Sequence, residues 1–291
     1  MGGAGWALDG KTAVVTGASS GLGREVAQAL GDRGARLALV GRNRDRLERT
    51  ATAITERGGA SDVRIFVADL SAQSQVRRLS DALLADGAPI HVLVNNAGAV
   101  QGLRRKVSDD GCEMTLALNH LAYFMLTVLL HERLEGSAPA RIVNVTGDAY
   151  KDAKGHFDFD DYNAERRYSP LRQYAYSKLA NILFTRELAR RLAGSGVTVN
   201  AAGPSRTTAT RFAHNVHPLA KVSMVLAAPF LLSVRKGAAP IVHLCAAPDA
   251  ADLTGSYWSG LRQPALEPAA TDDDAARRLW ELSTELTGVN F

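Results

Sequence analysis

Residues 16–23 read TGASSGLG, and the way this stretch is read decides the fold. A short apolar run, Lys11–Val15 (KTAVV), stands before it, and Arg24–Gly34 (REVAQALGDRG) after it carries apolar residues at helical spacing. Strand, glycine-rich turn and helix in that order make a phosphate cradle. Gly17 permits the tight turn, Gly21 lets backbone amides approach a pyrophosphate, and Gly23 lets the helix pack closely on the sheet. With Ser19, Ser20 and Leu22 these glycines form the expected dinucleotide-binding loop, because a helix N-terminus offers unpaired N–H groups to phosphate. Three glycines alone also occur in turns that bind nothing; the flanking strand and helix are the context that gives them meaning.

Working outward, the same alternation repeats. Ala35–Gly41 (ARLALVG) is followed by Leu47–Gly59 (LERTATAITERGG), and Val63–Leu70 (VRIFVADL) by Ser74–Gly87 (SQVRRLSDALLADG). Ile90–Gly98 (IHVLVNNAG), Arg141–Gly147 (RIVNVTG) and Gly196–Pro204 (GVTVNAAGP) are further apolar runs with little polar alternation. Strands buried on both faces read this way, because crossover helices cover a parallel sheet on each side. The pattern predicts one doubly wound α/β domain over residues 1–291, without repeats or linkers. A chain of 291 residues, 46% hydrophobic, is long enough for such a core. Its net charge of +4 is interspersed rather than run together, which argues against nucleic acid as a partner. Cys112 and Cys245 lie far apart and the N-terminus lacks a cleavable apolar signal, so a reduced, cytoplasmic protein is expected. The longest apolar run, Val222–Val234, is too short to span a bilayer and contains Pro229, so no stable membrane insertion is expected.

The end of the second apolar run distinguishes between dinucleotides. A site for NAD would place a carboxylate there to accept the ribose 2′-hydroxyl. Here Leu39–Arg46 reads LVGRNRDR: Gly41 brings no carboxylate, and Arg42 can pair with a 2′-phosphate. NADP(H) is the expected cofactor.

Three motifs now stand in order: TGASSGLG, Asn95–Gly98 (NNAG) and Tyr174–Lys178 (YAYSK). Together they resemble the short-chain dehydrogenase/reductase family. Ala117–Thr127 (ALNHLAYFMLT), Arg141–Val145 (RIVNV), Tyr176–Leu192 (YSKLANILFTRELARRL) and Gly255–Trp258 (GSYW) are similar to its retinol dehydrogenase and protochlorophyllide reductase branch. The resemblance implies a Rossmann-like sheet of about seven strands and hydride transfer between nicotinamide and a carbonyl or alcohol. It implies that Asp69, with Leu70 beside it, contacts the adenine, that Asn95 and Ala97 line the cofactor's ribose, and that Asn96 and Gly98 also belong to the cofactor site. Asn119 would hold a water linked to Lys178, Tyr174 would be the acid or base, and Lys178 would bind the nicotinamide ribose. Elementary chemistry agrees: residues four apart share a helix face, and an ammonium beside a phenol favours phenolate. Tyr176, two residues on, is read as packing.

Two positions depart from the family pattern. Pro204 is kept after the sixth apolar run, but Ser205 stands where glycine is usual. Gly147 stands where the family has the serine that hydrogen-bonds the substrate oxygen. Thr146 could replace that serine only if the strand end twisted, since neighbours on a strand face opposite ways; Asp148 could act as a protonated donor. Loss of one such donor costs about 10²–10³ in rate, against a total of roughly 8–23 kcal/mol that enzymes supply. Carbonyl reduction or alcohol oxidation on a bulky lipophilic substrate is therefore the first expectation, with an apolar lid near residues 205–235. A non-redox step such as dehydration, cyclisation or epimerisation on the same fold is the alternative. The protein is read as acting alone or as a homodimer. Asp158, Asp160 and Asp161 are read as a charged loop rather than a metal site, and His120 as a satisfied buried histidine.

Overall fold

The computed structural model describes residues 7–60, 62–204 and 234–291. In chain order its first half comprises β1 (Thr12–Thr16), α1 (Gly21–Gly31), β2 (Arg36–Gly41), α2 (Arg44–Glu56), β3 (Val63–Val67), α3 (Gln73–Ala85) and β4 (Val92–Asn95). There follow α4 (Met114–Leu116), a π-turn (Ala117–Leu121), α5 (Ala122–Leu129), α6 (His131–Glu135) and β5 (Ala140–Val145). The remainder is α7 (Pro170–Arg191), β6 (Val197–Gly203), α8 (Val234–Ala246), β7 (Tyr257–Ser259), α9 (Pro268–Thr271) and α10 (Asp273–Thr287).

The seven strands form one parallel sheet in the order β3-β2-β1-β4-β5-β6-β7. This is the doubly wound arrangement that the alternation of apolar runs and amphipathic segments predicts. Valine and leucine dominate the central strands because both sheet faces are covered: Val14, Val15, Leu39, Val40, Val92, Leu93 and Val94 are all fully buried. One face packs against α1 and α8 through Val26, Leu30, Ile241 and Leu244. The other packs against α3, α5 and α7 through Leu79, Leu83, Phe124, Leu126, Phe184 and Leu188. Each such side chain contributes about 1.5–3 kcal/mol through burial. The last helix, α10, lays Trp280 against Phe124 and Phe184, with ring centroids 4.9 and 5.9 Å apart.

The chain runs from β1 through β2 to β3 on one side and restarts at β4 on the other. The sheet therefore opens a crevice at the carboxyl ends of β1 and β4, where ligands bind in open α/β sheets. Ser205 and most of the lid expected near 205–235 lie outside the described residues.

Candidate active site

The glycine-rich turn occupies the β1 end of that crevice. Gly17 has φ 69°, and a Cβ there would lie 2.8 Å from the Asn96 amide and 3.0 Å from Ala97 Cα. A Cβ on Gly23 would fall on the Gly17 carbonyl oxygen and the same amide, so helix and turn close against each other. The Ser20 side chain makes no cap bond to α1, and the first turn holds no acidic residue. The leading N–H groups of α1 are thus left to an anionic ligand. Leu22 points into the core, so only its main chain faces the turn's outer side. Ser19 sits 3.5 Å from where a Gly41 Cβ would be, which brings the β2 end beside the turn.

Asn96 braces the turn from below with its side-chain amide. Its Nδ2 donates to the Thr16 carbonyl at 2.7 Å, and its backbone N–H and that of Ala97 donate to Thr16 Oγ1 at 2.8 and 3.0 Å. Asn95 is withdrawn from the crevice. It is fully buried and donates to Thr127 Oγ1 and Asn144 Oδ1, both at 2.9 Å. Ala97 and Gly98, half-buried, are the residues of this stretch that face the crevice.

At the ends of β2 and β3, Arg42 and Asp69 stand together, Nη1 to Oδ2 at 3.6 Å. Asp69 Oδ1 is taken by the Ser71 N–H and hydroxyl at 3.0 and 2.7 Å. Burial acts to raise the Asp69 carboxyl, but Ser71 and the Arg42 guanidinium together hold it below the usual range. Arg42 is largely exposed, and such a surface pair is worth little, so its guanidinium is available to a phosphate. Leu70, beside Asp69, is buried in the core.

Helix α7 carries the acid–base candidates. It starts with Pro170, whose missing N–H costs nothing at a first-turn position. Tyr174 and Lys178 share one face, with the ammonium 5.3 Å from the Tyr174 ring centroid. Lys178 is 1% exposed and donates to the Val145 carbonyl at 3.2 Å. Desolvation pulls the Lys178 pKa down to about 7. Desolvation also pushes Tyr174 up, the opposite of the lowering expected from a neighbouring ammonium.

Asn119 lies within the π-turn, a distortion frequent at functional sites. Its Oδ1 accepts from the Ala99 N–H at 2.9 Å, and its Nδ2 donates to the Ala99 carbonyl and to Ser177 Oγ, both at 3.1 Å. The side chain thereby ties the loop after β4 to α7. Gly98 completes the approach: a Cβ there would lie 3.1 Å from Asn119 Oδ1 and 3.8 Å from Lys178 Nζ.

Neither expected stand-in for the absent serine serves that purpose. Thr146 Oγ1 donates to the Lys178 backbone carbonyl at 2.8 Å, on the opposite side of the strand from Gly147, as strand alternation requires. Asp148 accepts from Tyr257 Oη at 2.9 Å and Ser259 Oγ at 2.8 Å, so its two oxygens anchor β7 to the end of β5. Gly147 itself borders Pro204, whose carbonyl oxygen would lie 3.7 Å from a Cβ placed there. Ser177 and Asn181, on the same helix as Tyr174 and Lys178, belong to the site too; their spacing of three from Tyr174 and from Lys178 is the signal that marks them.

Elsewhere, Asp161 accepts from the backbone N–H groups of Glu165, Arg166 and Arg167, and Asp158 caps Asp161. The acidic stretch is a structured loop. Among the described residues no three metal-ligating side chains come together, and no helix is long and apolar enough to cross a membrane.

Residues 11–219 match the model of the short chain dehydrogenase family. The chain belongs to that family of oxidoreductases. It is 39% identical to human retinol dehydrogenase 12 over 284 residues, which are 98% of this chain and 88% of that protein. Among solved structures, an uncharacterized protein from Mycobacterium paratuberculosis superposes with a TM-score of 0.77 at 31% identity, over 99% of this chain and 97% of the other. An NADP complex of Pseudomonas aeruginosa RhlG superposes with a TM-score of 0.68 at 29% identity, over 87% of this chain and 95% of that one.

Proposed function

We propose that this short-chain dehydrogenase is a cytoplasmic, NADPH-dependent enzyme that reduces a carbonyl, or oxidises the corresponding alcohol, on a bulky lipophilic substrate. One observation carries the reading. A phenol and a buried ammonium share one face of α7, with Asn119 joining Ser177 of that helix to the loop at Ala99, at the carboxyl ends of β4 and β5 beside a glycine-rich turn suited to phosphate.

The residues present fit the dinucleotide. The uncapped start of α1 suits its pyrophosphate, and Arg42, with no carboxylate at Gly41, suits a 2′-phosphate. RhlG, whose structure holds NADP, supports the same choice. When bound, NADPH supplies the hydride. The Tyr174 hydroxyl then delivers the proton to the substrate oxygen, a role for which burial keeps it in its protonated form. The Lys178 ammonium binds the ribose beside Tyr174, and Asn119 holds the loop at Ala99 against it. The lipophilic substrate follows from the apolar sequence of residues 222–234 and from similarity to a retinol dehydrogenase, whose named substrate is an apolar alcohol.

Gly147 favours a second reading, a non-redox step on the same scaffold, because nothing among the described residues replaces the missing hydroxyl. Incubation with lipophilic ketones and NADPH, read by cofactor absorbance and product mass, separates the two. Consumption of NADPH with a gain of two hydrogens supports the first; an isomer or loss of water moves the assignment to the second. Within the first reading, Tyr174→Phe is expected to lower kcat by at least about 10²-fold while leaving NADPH affinity within about threefold. Retained turnover would remove the proposed acid.

A further inference from the structure

A file of buried polar groups runs from the C-terminal helix to the catalytic lysine. Ser283 Oγ on α10 lies 3.0 Å from His120 Nε2, and His120 Nδ1 lies 3.2 Å from Asn181 Oδ1. Asn181 Nδ2 in turn faces the Asn119 carbonyl at 2.9 Å and the Val145 carbonyl at 3.5 Å, the latter also receiving Lys178 Nζ at 3.2 Å. His120, Asn181 and Ser283 are each at most 1% exposed.

Matching donors to acceptors assigns every proton in this file. Asn181 must direct its NH₂ group at the two carbonyls, since its oxygen would be repelled there. Its Oδ1 therefore faces His120, and Nδ1 must carry a hydrogen to meet it. Burial holds the imidazole neutral, with its pKa pulled down to about 4, so Nε2 is bare. The Ser283 hydroxyl then gives its proton to His120 Nε2 rather than to the Leu279 carbonyl 2.7 Å away. The other neutral tautomer would set a nitrogen lone pair against the Asn181 oxygen.

We propose that Asn181 is a positioning residue, aimed by His120 and Ser283, which fixes the Asn119 and Val145 carbonyls and through them the Asn119 side chain and the Lys178 ammonium. Helix α10 thus takes part in setting the active site without touching it. The π-turn makes this support necessary, because it departs from regular helical bonding at the residue whose side chain must clamp Ala99. The kinetic part of this proposal rests on the proposed redox function; the tautomer does not.

Nitrogen-15 NMR of the cofactor-free protein, labelled at its seven histidines, tests the proton assignment directly. His120, identified by its contact with the Phe184 ring, is expected to show a protonated Nδ1 and a bare Nε2 at neutral pH. A protonated Nε2 would overturn the proposal, whatever substrate the enzyme takes. The second arm compares His120→Leu with His120→Asn, whose side-chain amide nitrogen occupies the place of Nδ1. His120→Leu is expected to lower kcat about tenfold with the KM for NADPH within about threefold, and His120→Asn to recover most of that loss. Equal losses in the two variants, or no loss in either, would show that Asn181 does not act through this hydrogen bond. If no carbonyl is turned over by the parent protein, the functional reading fails and the tautomer still decides the positioning proposal.

Discussion

Gly147 holds an extended backbone, φ 162° and ψ 168°, which any residue adopts. A Cβ there would meet, among the described residues, only the Pro204 carbonyl oxygen at an ordinary 3.7 Å. A serine at this position requires neither strain nor repacking of those neighbours. Gly147→Ser is therefore expected to raise kcat/KM on a small ketone by up to about tenfold, part of what one transition-state donor supplies. On a bulky substrate that uses the open space the same change should lower it. Steady-state kinetics on both substrates checks this, and a fall on every substrate would mean that the oxygen is held by another group. Asp148 behaves differently at the residue scale because its acceptors are already used by Tyr257 and Ser259. Asp148→Asn replaces one acceptor by a donor, so one hydroxyl loses its partner, at a cost of about 1–3 kcal/mol. Thermal melting should show that loss, with kcat changed by less than about threefold; a selective loss of kcat would restore Asp148 as a catalytic candidate.

At the scale of elements, the glycine-rich turn and α1 form one unit, and Gly23 is the point where they touch. Gly23→Ala would drive a methyl into the Gly17 carbonyl and the Asn96 amide. Overpacking of this kind costs about 1–3 kcal/mol. NADPH affinity measured by fluorescence titration is expected to fall at least about tenfold, since the turn must open at the place proposed for the cofactor's phosphate. Unchanged affinity would separate this turn from the cofactor. Turn, strands and the Tyr174–Lys178 pair are all legible in the sequence, because each depends on neighbours within a few residues: apolar runs, glycines at a strand end, a spacing of four. What escaped the sequence depends on distant partners. Asn96 looks like a cofactor residue within NNAG, yet its amide is committed to Thr16, 80 positions earlier. Thr146 and Asp148 look available until α7 and β7 are folded against them. The π-turn at Asn119 leaves no trace in the apolar run that contains it.

At the scale of the whole molecule, a candidate active site built around a buried lysine makes stability depend on pH in a definable way. Unfolding returns Lys178 to its ordinary pKa of 10.5, whereas the folded protein holds it at about 7. Between these values the unfolded chain binds the extra proton, so stability falls as pH is lowered through this window and levels off below about 7. The buried thiols act in the opposite sense at the alkaline end. Burial pushes Cys245 from 9.0 up to about 12 and Cys112 upward as well, so above about pH 9 the unfolded chain loses protons that the folded one keeps. At the acid end His120, held at about 4 against 6.5 unfolded, withdraws stability as pH falls between those values. The cofactor-free protein is thus expected to be most stable near pH 9, and the slope between about pH 7 and about pH 8.5 belongs chiefly to Lys178. Lys178→Met removes that ionisation while keeping most of the side chain's volume. Urea unfolding of both proteins at the two pH values should give a parent that gains stability on going alkaline and a variant that gains much less. The variant should also be the more stable of the two near neutrality, where the parent holds a charge away from water with a single carbonyl as its hydrogen-bond acceptor among the described residues. Parallel pH profiles would mean that the ammonium is better solvated than its burial implies, and that lysine would then keep its charge beside Tyr174 across the whole range.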